Sequence, residues 1–156
     1  MEFTIRQATE KDFSLIQALN AALFAEDEHH DPALDTHWPV SMAGVEYYMK
    51  SLMDPEKHVL IAEDDQKKPL GYVVASSVNK WRYRSVLTGE LENMYVIPAA
   101  RKQGVGRALI AAIKKWMKSQ GVERMYVSAY TKNTNAISFY QSNGFKAWET
   151  GMEAIL

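Results

Sequence analysis

The chain has 156 residues, 47% of them hydrophobic, and a formal net charge of −1, a size that suits one domain (residues 1–156) with a full core. It has no cysteine, which excludes disulfides, thiolate metal sites and a cysteine nucleophile, and no apolar run approaches the ~18 residues of a membrane span. The small net charge hides a division: residues 1–65 hold 4 Lys and Arg against 14 Asp and Glu, and residues 66–156 hold 14 against 5.

That division either solvates two surfaces or suits one half to a cationic ligand and the other to an anionic one. The opening "MEFTIRQATE" lacks the shape of a signal peptide, so the expectation is a cytoplasmic protein.

Glu2–Ala8 alternates Phe3 and Ile5 with polar neighbours and predicts a strand. Thr9 offers an N-cap to a helix carrying Phe13, Ile16, Leu19 and Leu23. The stretch "EDEHHDPALDTHWP" reads as a polar loop, and Met42–Met53 as a second helix stopped by Asp54-Pro55. "HVLIAE" and "PLGYVVASSV", joined by "DDQKK", predict a hairpin. After the basic loop "NKWRYRS" comes a strand over Leu87–Val96. A helix follows with Val105, Leu109, Ile113, Trp116 and Met117 on one side, closed by Gly121. "RMYVSAY" predicts a strand, Asn133–Asn143 a helix ended by Gly144-Phe145, and "FKAWE" a last strand. This order implies an α/β fold: a mixed central sheet with helices on both faces. The strand–helix–strand crossover in its middle makes two central strands parallel.

Between the Leu87–Val96 strand and its helix lies "IPAARKQGVGRALI". A helix start carries unpaired N–H groups and partial positive charge, and glycines let a ligand come close, so the turn suits an anion such as phosphate. Arg101, Lys102 and Arg107 add charge. A P-loop requires Lys-Ser/Thr where Arg107-Ala108 stands, which excludes it. A dinucleotide turn requires a third glycine where Leu109 stands and an acid where Tyr130 stands. A tight turn without a ligand is the remaining alternative.

"YVIPAARKQGVGRALI" resembles the acetyl-coenzyme A motif of the GNAT superfamily of N-acetyltransferases through Val96, Pro98, Arg101, Gly104 and Gly106. "NTNAISFYQSNGF" resembles the family's second block through Asn133, Ala136, Tyr140, Gly144 and Phe145, and "IRQATEKDFSLI" is similar to its first strand and helix. The resemblance implies the GNAT fold, with splayed central parallel strands freeing backbone groups at Met94, Tyr95 and Val96 for the thioester and pantetheine. Arg101, Lys102, Gln103, Gly104, Val105, Gly106 and Arg107 would hold the pyrophosphate. Asn133, Ala136 and Tyr140 share a helix face at i, i+3, i+7, where Ala136 would let the pantetheine arm pass and Asn133 would bond to it.

The implied reaction is acetyl-coenzyme A-dependent N-acetylation of a primary amine. Without cysteine, direct attack by the amine is the simple route. An alkyl ammonium near pKa ~10.4 must first lose a proton, and the departing thiolate must gain one. Tyr140 resembles the family's general acid. Glu90 and Glu92, two apart on one face of a strand, are the candidate bases, direct or through water, with Glu92 favoured. The loop "AEDEHHDPALDTHW" stands on the acceptor side in the family. Its acids, Asp27, Glu28 and Asp31 among them, would attract a cationic small-molecule amine, and Trp38 would add an aromatic face. Alternatives are a protein or peptide acceptor and a non-catalytic coenzyme A-binding sensor.

His29, His30 and His37 near Asp31 and Asp35 have no metal-ligand spacing, so no metal is expected. "KWRYR" interleaves aromatics and cations, but reads as a hairpin loop, substrate lip or homodimer contact, and neither nucleic acid nor membrane is an expected partner. Lys114, Lys115 and Lys118 read as a solvated face from which one could reach the cofactor's 3′-phosphate.

Overall fold

The structure, a computed structural model, describes residues 2–156. Its elements are β1 (Phe3–Gln7), α1 (Phe13–Asp27), α2 (Met42–Met53), β2 (Lys57–Asp64), β3 (Pro69–Ser76), β4 (Thr88–Val96), α3 (Val105–Ser119), β5 (Arg124–Tyr126) and α4 (Thr134–Ser142). The strands form one sheet in the order β1-β2-β3-β4-β5. All pairs are antiparallel except β4 with β5, which α3 joins as a crossover.

Strand alternation sorts the side chains onto two faces. Leu60, Ala62, Val73, Ala75 and Leu91 pack against Leu109, Ile110, Ile113 and Met117 of α3. Val59, Ile61, Tyr72, Val74 and Tyr95 meet Ile16 and Leu19 of α1 and Tyr48 of α2. Thr9, the expected cap, precedes a 3-10 turn (Glu10–Asp12) that leads into α1, and Asp12 accepts from Thr9 N–H at 2.9 Å; at α2, Ser41 Oγ accepts from Gly44 N–H at 3.2 Å.

Three expectations are corrected. First, α1 continues through Asp27, with Glu28 N–H still donating to Phe24 O at 3.0 Å, so Glu26 and Asp27 occupy a helical turn rather than a loop. Second, β5 ends at Tyr126 instead of running to Tyr130. Third, residues 145–150 form no strand. With only three residues laddered against β4, β5 offers no long edge for a further strand, and it closes the sheet at its margin rather than lying centrally. Among the described residues no helix is long and apolar enough to cross a membrane.

Candidate active site

The parallel pair sets the site. Thr88, Gly89 and Glu90 oppose Arg124, Met125 and Tyr126; beyond Glu90 the strands part, while β4 stays paired with β3 up to Val96. Ile97 N–H donates to Leu70 O at 2.9 Å. By the alternation of an antiparallel ladder, Tyr95 then turns its N–H to β3, and Met94 and Val96 turn theirs into the opening.

At the top of the opening the chain turns into α3. Lys102 (φ 60) and Gly104 (φ 90) are left-handed, and this folds the backbone into a concave nest of amides. The N–H groups of residues 102–107 have no acceptor among the described residues. A Cβ on Gly104 would meet nothing within 4 Å, so that glycine serves the backbone angle and the open space before the amides. Val105, fully buried, anchors the turn, and Gln103 braces it through Ala99 O at 2.7 Å. The exposed side chains of Lys102 and Arg107 make no ion pair among the described residues. This cradle fits a diphosphate.

Two residues of the motif do other work. Gly106 faces α4: a Cβ there would lie 3.0 Å from the Phe139 ring, so its missing side chain makes room for a helix contact, with its N–H still free for a ligand. Arg101 is turned away from the cradle. Its Nη2 meets both oxygens of Glu26 at 2.7 and 2.8 Å, and its Nε meets Val96 O at 2.9 Å. Lys114 is similarly taken up, its ammonium on Asn143 O and near the Phe145 ring.

α4 presents the expected face. Asn133 Oδ1 caps the helix by accepting from Ala136 N–H at 3.0 Å, leaving its amide Nδ2 free to donate. Tyr140 lies between Phe139 and Phe145, ring centroids 5.4 Å from each. Its hydroxyl makes no hydrogen bond among the described residues. Burial, and then the negative charge of Asp27, push the phenol up to about 12.

Glu90 and Glu92 are each held by a lysine. Both Glu90 oxygens accept from Lys80 Nζ at 2.7 Å. Glu92 is the extra residue of a β-bulge, since Val74 opposes Asn93 while Ala75 opposes Leu91. Leu91 therefore packs toward α3, whereas Glu92 and Asn93 both turn toward α2. Glu92 Oε2 accepts from the Tyr47 hydroxyl and from Lys57 Nζ at 2.8 Å. Burial and the Glu92 charge raise the Tyr47 phenol far above its usual range, so it stays a donor. The sequence reading missed Tyr47 and Lys57; no local signal marks them, since the bulge and the α2 packing create the cluster.

The last turn of α1 spans the opening. On one side, Glu26 accepts from Arg101 and from the Tyr95 hydroxyl at 2.8 Å. On the other, the His30 ring stacks on Tyr130 at 6.1 Å, and Tyr130 OH reaches Asp31 Oδ2 at 3.4 Å. Between these ties, Asp27 is half-buried, and its carboxylate makes no hydrogen bond or ion pair among the described residues. Glu28 is exposed. Trp38 is packed rather than presented, stacked on Phe24 at 5.6 Å and tilted against Tyr47 at 5.7 Å. Among the described residues no three His, Asp or Glu side chains gather as a metal site.

The sequence profile described as "Acetyltransferase (GNAT) family" matches residues 14–145. The chain belongs to the GNAT acetyltransferase family. As a GNAT enzyme it takes acetyl-coenzyme A as donor substrate, and the amide cradle fits that donor's diphosphate. A relative from Stenotrophomonas maltophilia, aminoglycoside N(6′)-acetyltransferase type 1, is 27% identical over 148 residues, covering 94% of this chain and 88% of its own. Mycothiol acetyltransferase of Renibacterium salmoninarum is 28% identical over 132 residues, 85% of this chain; the match spans only 37% of that relative. In fold, the chain is similar to a crystal structure of a mutant of BH1408 protein from Bacillus halodurans. The TM-score is 0.86 at 22% identity, over 98% of this GNAT chain and 99% of the other.

Proposed function

We propose that this GNAT enzyme transfers acetyl from acetyl-coenzyme A directly to a primary amine of a small cationic acceptor. The observation that carries the reading is the charge at the opening. Glu26 neutralises Arg101, and Asp27, Glu28 and Asp31 remain without a cationic partner among the described residues. A surplus of carboxylates in a cleft raises the local concentration of cations. The aminoglycoside acetyltransferase relative supports the same acceptor class.

In this reading the amides of residues 102–107, with Lys102 and Arg107, hold the diphosphate. Val105 and Gly106 contribute backbone, and Gln103 keeps the turn in shape. Met94 and Val96 offer N–H groups to the pantetheine arm and thioester carbonyl, where pre-placed donors stabilise developing negative charge. Tyr95 acts indirectly by positioning Glu26. The Asn133 amide and small Ala136 line the arm's path, and Tyr140 protonates the leaving sulfur. No acyl-enzyme is involved.

A panel of amines assayed by thiol release tests the proposal. Polyamines and aminosugars should be the best acceptors, with KM rising as salt is added. A best acceptor carrying net negative charge would refute the cationic assignment.

A further inference from the structure

The reaction requires a group to take the amine's proton, and the two glutamates of β4 are poorly placed for it. Glu92 already accepts from Tyr47 and Lys57, and the Lys57 ammonium would repel an incoming cationic amine. Glu90 is chelated by Lys80.

Asp27 differs from both. Its neighbours Glu26 and His30–Asp31 are tied to opposite sides of the β4–β5 opening, through Arg101 and Tyr95 on one side and Tyr130 on the other. A residue between two such anchors lies over the gap. Tyr140 is partly buried, its hydroxyl also has no protein partner among the described residues, and it lies near enough to feel the Asp27 charge. Neither group is sealed from solvent, so a ligand that enters the opening can meet both.

We infer that Asp27 is the base that deprotonates the acceptor amine, facing Tyr140 across the bound thioester. This rests on the acetyltransferase reading above.

The groups facing Asp27 are Glu26 and His30 from its own segment, Tyr72 from β3, Tyr130 beyond β5 and Tyr140 of α4. Burial raises the Asp27 carboxyl above its ordinary range; His30 opposes this and Glu26 adds to it. Its place at a helix C-terminus acts in the same upward direction. A more basic carboxylate is a better proton acceptor near neutrality.

An ammonium N–H bond breaks and its proton passes to an Asp27 oxygen, and the freed lone pair forms the N–C bond at the thioester carbonyl. The C–S bond breaks and sulfur takes the Tyr140 proton. The nitrogen loses a second proton as the amide forms. Of the two protons lost by nitrogen, one restores Tyr140 and one goes to solvent.

The test compares Asp27→Asn with Glu92→Gln by thiol release, with acetyl-coenzyme A affinity measured by calorimetry. Asp27→Asn should bind acetyl-coenzyme A within about twofold of wild type, which shows that it is folded. Its kcat with alkyl-ammonium acceptors should fall about 10²–10⁴-fold, more than in Glu92→Gln. The acidic limb of its kcat/KM profile should vanish, and the loss should shrink with an amine already neutral at the assay pH. Wild-type-like turnover in Asp27→Asn, a larger loss in Glu92→Gln, or an equal loss with neutral and charged amines each overturns the assignment while the acetyltransferase reading stands. If wild-type protein releases no thiol with any amine, both readings fall.

Discussion

The Arg101 guanidinium holds both oxygens of the Glu26 carboxylate through Nη2, at 2.7 and 2.8 Å, and so ties the last turn of α1 to the loop that begins the donor cradle. Both side chains are 42% exposed, so the pair adds little stability. Its consequence is geometric. Arg101→Ala should leave the Tm nearly unchanged, within about 0.5 kcal/mol of stability, and raise the acceptor KM several-fold as the α1 end loosens. Steady-state kinetics beside a thermal melt separates the two effects.

Gly104 and Gly106 should fail differently when given a methyl group. Gly104→Ala puts a side chain into a left-handed backbone, a strain of about 1–2 kcal/mol, in the space before the amides. It should weaken acetyl-coenzyme A binding markedly. Gly106→Ala presses on Phe139 at 3.0 Å and should cost about 1–3 kcal/mol by overpacking, with a smaller loss of affinity. Denaturant melts should therefore show comparable losses of stability, while calorimetry should show the larger loss of affinity in Gly104→Ala.

Tyr140→Phe keeps the ring between Phe139 and Phe145 and removes the proton donor. Turnover should drop about 10²–10⁴-fold while acetyl-coenzyme A affinity persists; unchanged turnover where chemistry limits the rate would exclude Tyr140 as the acid.

The same residue contributes to an alkaline limit. With its phenol at about 12 in the folded chain and near ~10 when unfolded, the native state retains a proton that the unfolded chain has released. Stability from this group is present below pH ~10 and should decline as pH rises from about 10 to about 12. Tyr140→Phe should make that decline shallower; the part that remains belongs to Tyr47, Tyr48 and Tyr72, whose phenols burial also raises.

Lys57 and Glu92, each with a side chain 17% exposed, form a pair whose halves depend on each other. Lys57→Met alone should destabilise by about 2–3 kcal/mol, because it leaves a largely buried carboxylate without its cation. Combining it with Glu92→Leu should recover much of the loss. Additive losses in the double mutant would show that the pair is uncoupled.

Features whose causes are local in the chain were legible from residue order. The α2 limits, the β2–β3 hairpin, the glycine turn that opens α3 and the i, i+3, i+7 face of α4 depend on caps, turns and periodicity within a few residues. Which charges meet was settled by folding at long range. Lys57 reaches Glu92 across 35 residues because β2, β3 and a bulge bring them together, and no periodicity encodes a bulge. Glu26 meets Arg101 across 75 residues because α1 runs on through Glu26 and Asp27 into a stretch whose polar composition reads as loop. That extension leaves the Asp27 carboxylate without a partner among the described residues, beside the β4–β5 gap. Composition marks an acidic segment, but which acid stays free depends on the side chains that distant strands place beside it.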